Sequence, residues 1–75
     1  MLKNIRKSRS FTQQELSEKT GISISTIQKY ERNARDINKA TLHHLLTFSI
    51  SLNCSVTDLL TDQHLIQLAK KSRLF

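Results

Sequence analysis

The sequence contains no proline, no tryptophan, a single glycine and a single cysteine. One glycine, Gly21, cannot supply the tight turns that β-hairpins require, so a helical fold is expected. A lone Cys54 has no disulfide partner and no second thiolate for a zinc site, which favours the cytoplasm. No apolar run approaches the roughly 20 residues of a membrane span, and the first residues lack the apolar stretch of a signal peptide. These absences predict a soluble, helical, cytoplasmic protein.

Positive charge is the strongest feature of the composition. The 75 residues include 12 Lys and Arg against 6 Asp and Glu, which gives a net charge of +6. Nine of the basic and four of the acidic side chains lie in residues 1–39, and a further basic cluster lies in residues 70–75. A chain of this length forms one domain with one core. The charge favours a polyanionic partner, although small domains also carry such a charge for solubility alone.

Local signals predict two helices joined by a tight turn. Thr12 and Glu15 have the spacing of a capping box, which starts a helix at the next residue. Gly21 stands where a residue with positive φ would end this helix. Ser23 is a good N-cap for another helix, which runs to about Arg32. Two helices joined by a few residues with one glycine are typical of a helix-turn-helix.

Further helices are expected on both sides of this pair. Apolar spacing predicts a helix over residues 2–9, and Ser55 with Asp58 forms a weaker capping box for a short helix. Asn38 is expected to cap a longer helix with Phe48 at the border of its apolar stripe. That stripe consists of Leu42, Leu45, Leu46, Ser49 and Leu52. Helical spacing continues near the end, so the tail is also expected to be helical.

Residues 12–31, TQQELSEKTGISISTIQKYE, resemble the helix-turn-helix of the phage-repressor and Cro family, also called the XRE family. The flanking segments 35–40 and 52–56 agree with the family as well. Asn33 takes the place of the usual glycine after the recognition helix and can still adopt a left-handed conformation. The resemblance extends over about residues 2–60.

The resemblance implies an all-α, compact five-helix lambda-repressor-like DNA-binding domain. This domain is expected over residues 1–61, with the helix-turn-helix at about residues 12–32. Residues 62–75 are then a basic tail, which the helical spacing allows to form a C-terminal helical extension.

One helix of the motif is predicted to enter the DNA major groove, which is about 12 Å wide and admits an α-helix. Ile27 and Tyr30 face inward, which turns the opposite face outward. The family's reading positions and this outward face together give the base-reading candidates Ile24, Ser25, Lys29 and Gln28. For Ile24, packing against the preceding helix is the alternative.

Phosphate contacts are expected around the same helix. Gln13 lies in the first turn of its helix, where the amides and the dipole favour an anion, and the family binds a phosphate there. On resemblance and charge, further phosphate contacts are expected from Thr26, Arg32, Asn33, Arg35 and Lys39. The family also has a partly buried ion pair between its first helix and the recognition helix, and the resemblance implies that Arg6 and Glu31 form it.

A second copy of the chain is the expected protein partner. One module buries too little surface for strong specific binding, and the family pairs two modules on half-sites about 34–36 Å apart. The expected dimer interface consists of Leu59, Leu60, Leu65, Ile66 and Leu68. The alternative is a monomer whose C-terminal helix docks on its own core.

The resemblance thus implies a sequence-specific regulator of prokaryotic or phage transcription that binds double-stranded DNA as a homodimer, as a repressor or autoregulator. Alternatives are an antitoxin-type module whose C-terminal face engages a toxin, a restriction-modification controller, or a protein with an anti-repressor partner. No nucleophile motif or phosphate-binding loop indicates an enzyme. His43, His44 and His64 lack the spacing of a ligand set, so no metal or cofactor is expected.

Overall fold

Six α-helices and one 3-10 turn make up most of residues 1–73, the part of the chain that the computed structural model describes. The helices are α1 (Leu2–Ser8), α2 (Gln13–Thr20), α3 (Ile24–Glu31), α4 (Leu42–Leu52), α5 (Val56–Leu59) and α6 (Gln63–Ser72), and the 3-10 turn is Ile37–Lys39. No strand occurs in the described residues, so the all-α prediction is confirmed. The last two residues of the predicted tail, 74 and 75, lie outside the described part.

Side-chain caps begin α2, α3 and α5 where the sequence predicts them. Thr12 Oγ1 accepts from the amide of Glu15 at 3.0 Å, and the Glu15 carboxylate accepts from the amide of Thr12 at 2.9 Å. Ser23 accepts from an amide in the first turn of α3, and Ser55 with Asp58 forms the second capping box. Each cap satisfies amides that the helix itself leaves unpaired, which contributes about 1 kcal/mol.

Left-handed residues end or closely follow five of the six helices described, α5 being the exception. Gly21 ends α2 at φ 73° and Asn53 ends α4 at φ 51°. Asn33, just beyond α3, has φ 61°, so it does replace a glycine as the sequence predicts. Ser10 also has φ 61°, between α1 and α2, and no sequence signal predicts it.

The prediction that Asn38 caps the fourth helix is wrong. The helix begins three residues later, where Thr41 accepts from an amide of its first turn. Asn38 lies within the 3-10 turn instead, and its side-chain amide bonds across the chain. Its Nδ2 donates to Thr61 Oγ1 at 2.7 Å, and its Oδ1 accepts from the amides of Thr61 and Asp62 at 2.8 and 2.9 Å. Asn38 therefore ties the 3-10 turn to the segment between α5 and α6.

The predicted apolar stripe of α4 is also corrected. Phe48, placed at the border, is fully buried, and Leu45 and Leu52 flank it along the core side of the helix. Leu42 and Leu46, expected inside, are 50 and 42 % exposed. The large ring takes the centre of the core, which rotates these two leucines outward.

All six helices contribute to the core. Its fully buried large side chains are Leu16, Ile27, Phe48, Leu52 and Leu59. The helical tail is confirmed as α6, which packs on this core through Ala69 and, partly, through Leu65 and Ile66.

Gly21→Ala is expected to lower the free energy of unfolding by about 1 kcal/mol. No atom lies within 4 Å of a Cβ built there, so the cost comes from placing an L side chain at φ 73°. Gly21→Asn is expected to lose less, because asparagine tolerates this conformation. Thermal unfolding measures both losses, because each kcal/mol lowers the midpoint temperature by roughly 4–8 °C in a domain of this size. Equal losses in the two variants would contradict the conformational explanation.

Candidate nucleic-acid interface

One face of α3 is anchored in the core and the opposite face is open to solvent. Ile27 and Tyr30 are 0 and 5 % exposed. Ser25 and Lys29 lie on the exposed face, as predicted, and Ile24 at the start of the helix is half-buried. The helix therefore presents polar side chains while its position depends on packing against α1, α2 and α4.

A two-pronged ion pair joins α1 to the last residue of α3. Arg6 Nε lies 2.8 Å from Glu31 Oε2, and its Nη2 lies 3.0 Å from Oε1. The third guanidinium nitrogen, Nη1, donates to the carbonyl of Phe11 at 2.7 Å. The two side chains are 9 and 4 % exposed. Such planar pairing constrains both distance and orientation between the two helices.

The surroundings keep Glu31 ionised. Burial by itself raises the pKa of its carboxyl, but the hydrogen bonds from Arg6 and Gln13 and the charges of Arg6 and Lys3 outweigh burial, so the pKa lies below its usual value. The hydrogen bond to Glu31 likewise raises the pKa of Arg6. Both partners are therefore charged at neutral pH.

A polar cleft adjoins this pair and contains three of the predicted contact residues. Gln13 Nε2 donates to Glu31 Oε1 at 3.0 Å, and Gln28 Nε2 donates to Gln13 Oε1 at 3.3 Å. Arg32 and Lys3 complete the lining of the cleft, whose volume is about 360 Å³. The sequence prediction omitted Lys3, although its spacing of three residues from Arg6 places both on one face of α1.

A second cleft, of about 340 Å³, brings Arg35 and Lys39 together beside Tyr30 and His44. The Arg35 guanidinium lies 5.7 Å from the centre of the Tyr30 ring, within the range of a cation–π interaction. The Tyr30 hydroxyl and His44 Nδ1 are 3.0 Å apart. Burial lowers the pKa of His44, and the charges of His43 and Arg35 act in the same direction.

The remaining predicted contact residues lie outside the two clefts. Ser25 and Lys29 stand on the open face of α3, and Asn33 is exposed just beyond that helix. Thr26 is half-buried, and its hydroxyl accepts from Ser23 Oγ at 2.8 Å. All the predicted contact residues thus come from α3, the start of α2, or the segment that follows α3.

The predicted dimer interface needs correction. Leu59 and Leu60 are 0 and 4 % exposed within one chain, so neither is available to a second copy. Leu65 and Ile66 are half-buried against the same core. Of the five predicted interface residues, only Leu68 is substantially exposed, at 50 %.

The apolar surface lies largely on α4, whose Leu42 and Leu46 are predicted from the sequence to face the core. Leu42, Leu46 and Ile50, each four residues apart, form a stripe along this helix and are 50, 42 and 81 % exposed. Leu42 also lines, together with Leu68, an apolar groove of about 360 Å³ between α4 and α6. We call Leu42, Leu46, Ile50 and Leu68 the α4–α6 surface.

Within residues 1–73, no group of three or more His, Cys, Asp or Glu side chains is placed to hold a metal ion. None of the helices described is long and apolar enough to cross a membrane. Cys54 is half-buried at the edge of the core, and burial raises the pKa of its thiol.

Comparison with known proteins gives one match. A family model described as helix-turn-helix matches residues 2–59, which include α1 to α5. No curated protein and no solved structure matched the chain.

Arg6→Ala is expected to lower the free energy of unfolding by about 3–5 kcal/mol, because it leaves the Glu31 carboxylate buried without its partner. Lys7→Ala, an exposed change in the same helix, is the control and is expected to lose less than about 1 kcal/mol. Urea denaturation measures both.

A loss of that size can unfold a small domain, so a second variant accompanies the first. Arg6→Met with Glu31→Leu removes both charges and is expected to regain most of the stability, since apolar pairs often replace buried ion pairs at little cost. An Arg6→Ala loss no larger than that of Lys7→Ala would contradict a buried pair.

Proposed function

The chain belongs to the XRE-type helix-turn-helix family of DNA-binding regulators, and from this premise we propose that it acts as a homodimer, as a repressor or autoregulator of transcription. In this proposal α3 lies in the major groove of each half-site. Promoter DNA that the dimer occupies is then closed to polymerase.

The observation that carries the proposal is the anchoring of α3. A helix with its side chains is about 10–12 Å across and fits a major groove about 12 Å wide. The buried pair of Arg6 and Glu31 holds this helix to α1, so its open face keeps one orientation. Lys29 can reach guanine O6 and N7, and Ser25 can donate or accept at a base edge. The exposed part of Ile24 is apolar and suits a thymine methyl group.

Phosphate contacts would set the register of α3 on the DNA. The first cleft offers Gln13 and Arg32, and Lys3 adds a charge beside them. The second cleft offers Arg35 and Lys39 from the segment after α3. Thr26 on α3 and Asn33 just beyond it are the remaining candidates. Such contacts contribute affinity for any sequence and carry little sequence information.

The α4–α6 surface supports a homodimer. Scattered exposed leucines are ordinary on small proteins, but here three large apolar side chains follow one another along α4, and Leu68 shares a groove with the first of them. Such a patch is of the kind that protein interfaces cover. Leu68 remains from the interface predicted from the sequence, and the three α4 residues replace Leu59 and Leu60. A toxin, as in the antitoxin alternative, would use the same surface.

Binding to DNA is expected to weaken steeply with salt. Neutralising about six phosphates gives a slope near −5 in a plot of log K against log salt concentration. Arg35→Ala is expected to reduce that slope by about 1 and to weaken all sequences alike, whereas Lys29→Ala relaxes the preference at one base position. Lys19→Ala is the control, because it also removes one positive charge. The Lys19 ammonium lies over the Phe11 ring, away from both clefts. Affinity that does not vary with salt would contradict DNA binding.

Leu68→Glu is expected to convert the dimer to a monomer, because it places a charge beside Leu42 within the α4–α6 surface. Gln67→Glu introduces the same charge at the exposed neighbouring position and is expected to leave the dimer intact. Sedimentation equilibrium measures both. A wild-type chain that stays monomeric even on palindromic DNA would contradict the homodimer and favour a different protein partner.

A further inference from the structure

A chain of hydrogen bonds runs from α1 through α3 and α2 and returns to the exposed face of α3. Arg6 donates to Glu31, Gln13 donates to the same carboxylate at 3.0 Å, and Gln28 donates to the side-chain oxygen of Gln13 at 3.3 Å. Gln28 is the exposed end of this chain, and Arg6 and Glu31 are its buried end.

The hydrogen bonds in this series can run in only one direction from donor to acceptor. A carboxylate accepts hydrogen bonds and cannot donate them, so Gln13 must turn its NH₂ group toward Glu31. Its carbonyl oxygen then faces Gln28, which must in turn direct its own NH₂ group toward Gln13. This assignment follows from the acceptor character of the carboxylate and does not depend on telling oxygen from nitrogen by shape. The low pKa of Glu31 preserves that character at neutral pH.

We propose that Gln28 reads adenine in the major groove and that Gln13 is the positioning residue that selects adenine over guanine. This rests on the DNA-binding function proposed above. With its NH₂ group turned toward Gln13, Gln28 presents its carbonyl oxygen and its second N–H to the groove. That pair matches the N6 amino group and N7 of adenine. The reverse orientation would present two N–H groups, which match O6 and N7 of guanine.

The first test is site selection with the wild-type protein and Gln28→Ala. Gln28→Ala is expected to lose the preference at one position of each half-site, where the wild type prefers adenine over guanine by about 5- to 150-fold. Gln14→Ala is the matched control, since Gln14 is exposed on α2 and bonds to Glu18 instead.

Base analogues at that position identify the bonded atoms. Replacing adenine with purine removes the N6 amino group, and 7-deazaadenine removes N7. Each analogue is expected to weaken the wild type and to leave Gln28→Ala unchanged. A wild-type preference for guanine at the position, or sensitivity to neither analogue, would overturn the proposed orientation.

The second test addresses Gln13. Gln13→Met keeps the length of the side chain and removes its polarity, so the adenine-to-guanine ratio at the Gln28 position is expected to fall at least threefold. Gln14→Met is the control. Loss of a phosphate contact alone would weaken all sequences equally and leave that ratio unchanged, which would overturn the positioning role.

Gln28→Lys provides a measurement that does not depend on the folding of the Gln13 variant. A lysine at this exposed position only donates, so the preferred base is expected to change from adenine to guanine. A preference that stays on adenine would count against the readout by Gln28.

The outcomes also separate this inference from the proposed function. If the folded wild type shows no salt-dependent DNA binding, both fail. If it binds DNA but Gln28→Ala selects the same sites as the wild type, only the inference fails.

Discussion

The ion pair between Arg6 and Glu31 is the constraint on which the candidate interface depends. Removing two charges from water costs several kcal/mol for each, so the pair is tolerated only with close geometry and further hydrogen bonds. Both conditions are met here, because Arg6 also donates to a backbone carbonyl and Glu31 also accepts from Gln13. Any rotation of α3 relative to α1 would break bonds that the buried charges cannot replace with water.

Stability alone does not explain why this site is ionic. Well-packed apolar side chains often stabilise such a position as much as a buried ion pair does. An apolar pair would, however, leave Gln13 without an acceptor, and its amide could then face either way. A carboxylate at this position both holds the helix and gives a direction to the hydrogen bonds that reach the exposed face.

The parts of the fold that could be predicted from sequence are those determined within a few residues. The capping box of Thr12 and Glu15 and the left-handed Gly21 act locally, so α2 has its predicted limits. Asn38 carries an equally good local signal for a cap, but it bonds to Thr61, 23 residues away, and a pattern in sequence does not show such a contact. The start of α4 was misplaced for this reason.

The predicted register of α4 is wrong, and Leu59 and Leu60 are not available for the predicted interface, for a related reason. This helix carries leucine, isoleucine or phenylalanine on most of its circumference, so periodicity alone allows more than one buried face. Phe48 fills the centre of the core only in the folded chain, and Leu42 and Leu46 are turned outward as a result. Similarly, nothing in the local sequence distinguishes the buried Leu59 from the half-exposed Leu68.

Not every basic residue of the first half of the chain is free to contact a partner. Arg6 is paired with Glu31, and Arg9 donates to the carbonyls of Leu52 and Asn53 at the end of α4, so two of the nine basic residues in positions 1–39 serve the fold itself. The buried carboxylate of Glu31 stabilises the charge of Arg6, and the negative end of the α4 helix dipole stabilises the charge of Arg9. The positive surface available to DNA therefore comes from lysines and arginines without these internal bonds. The two clefts beside α3 contain four of them, namely Lys3, Arg32, Arg35 and Lys39.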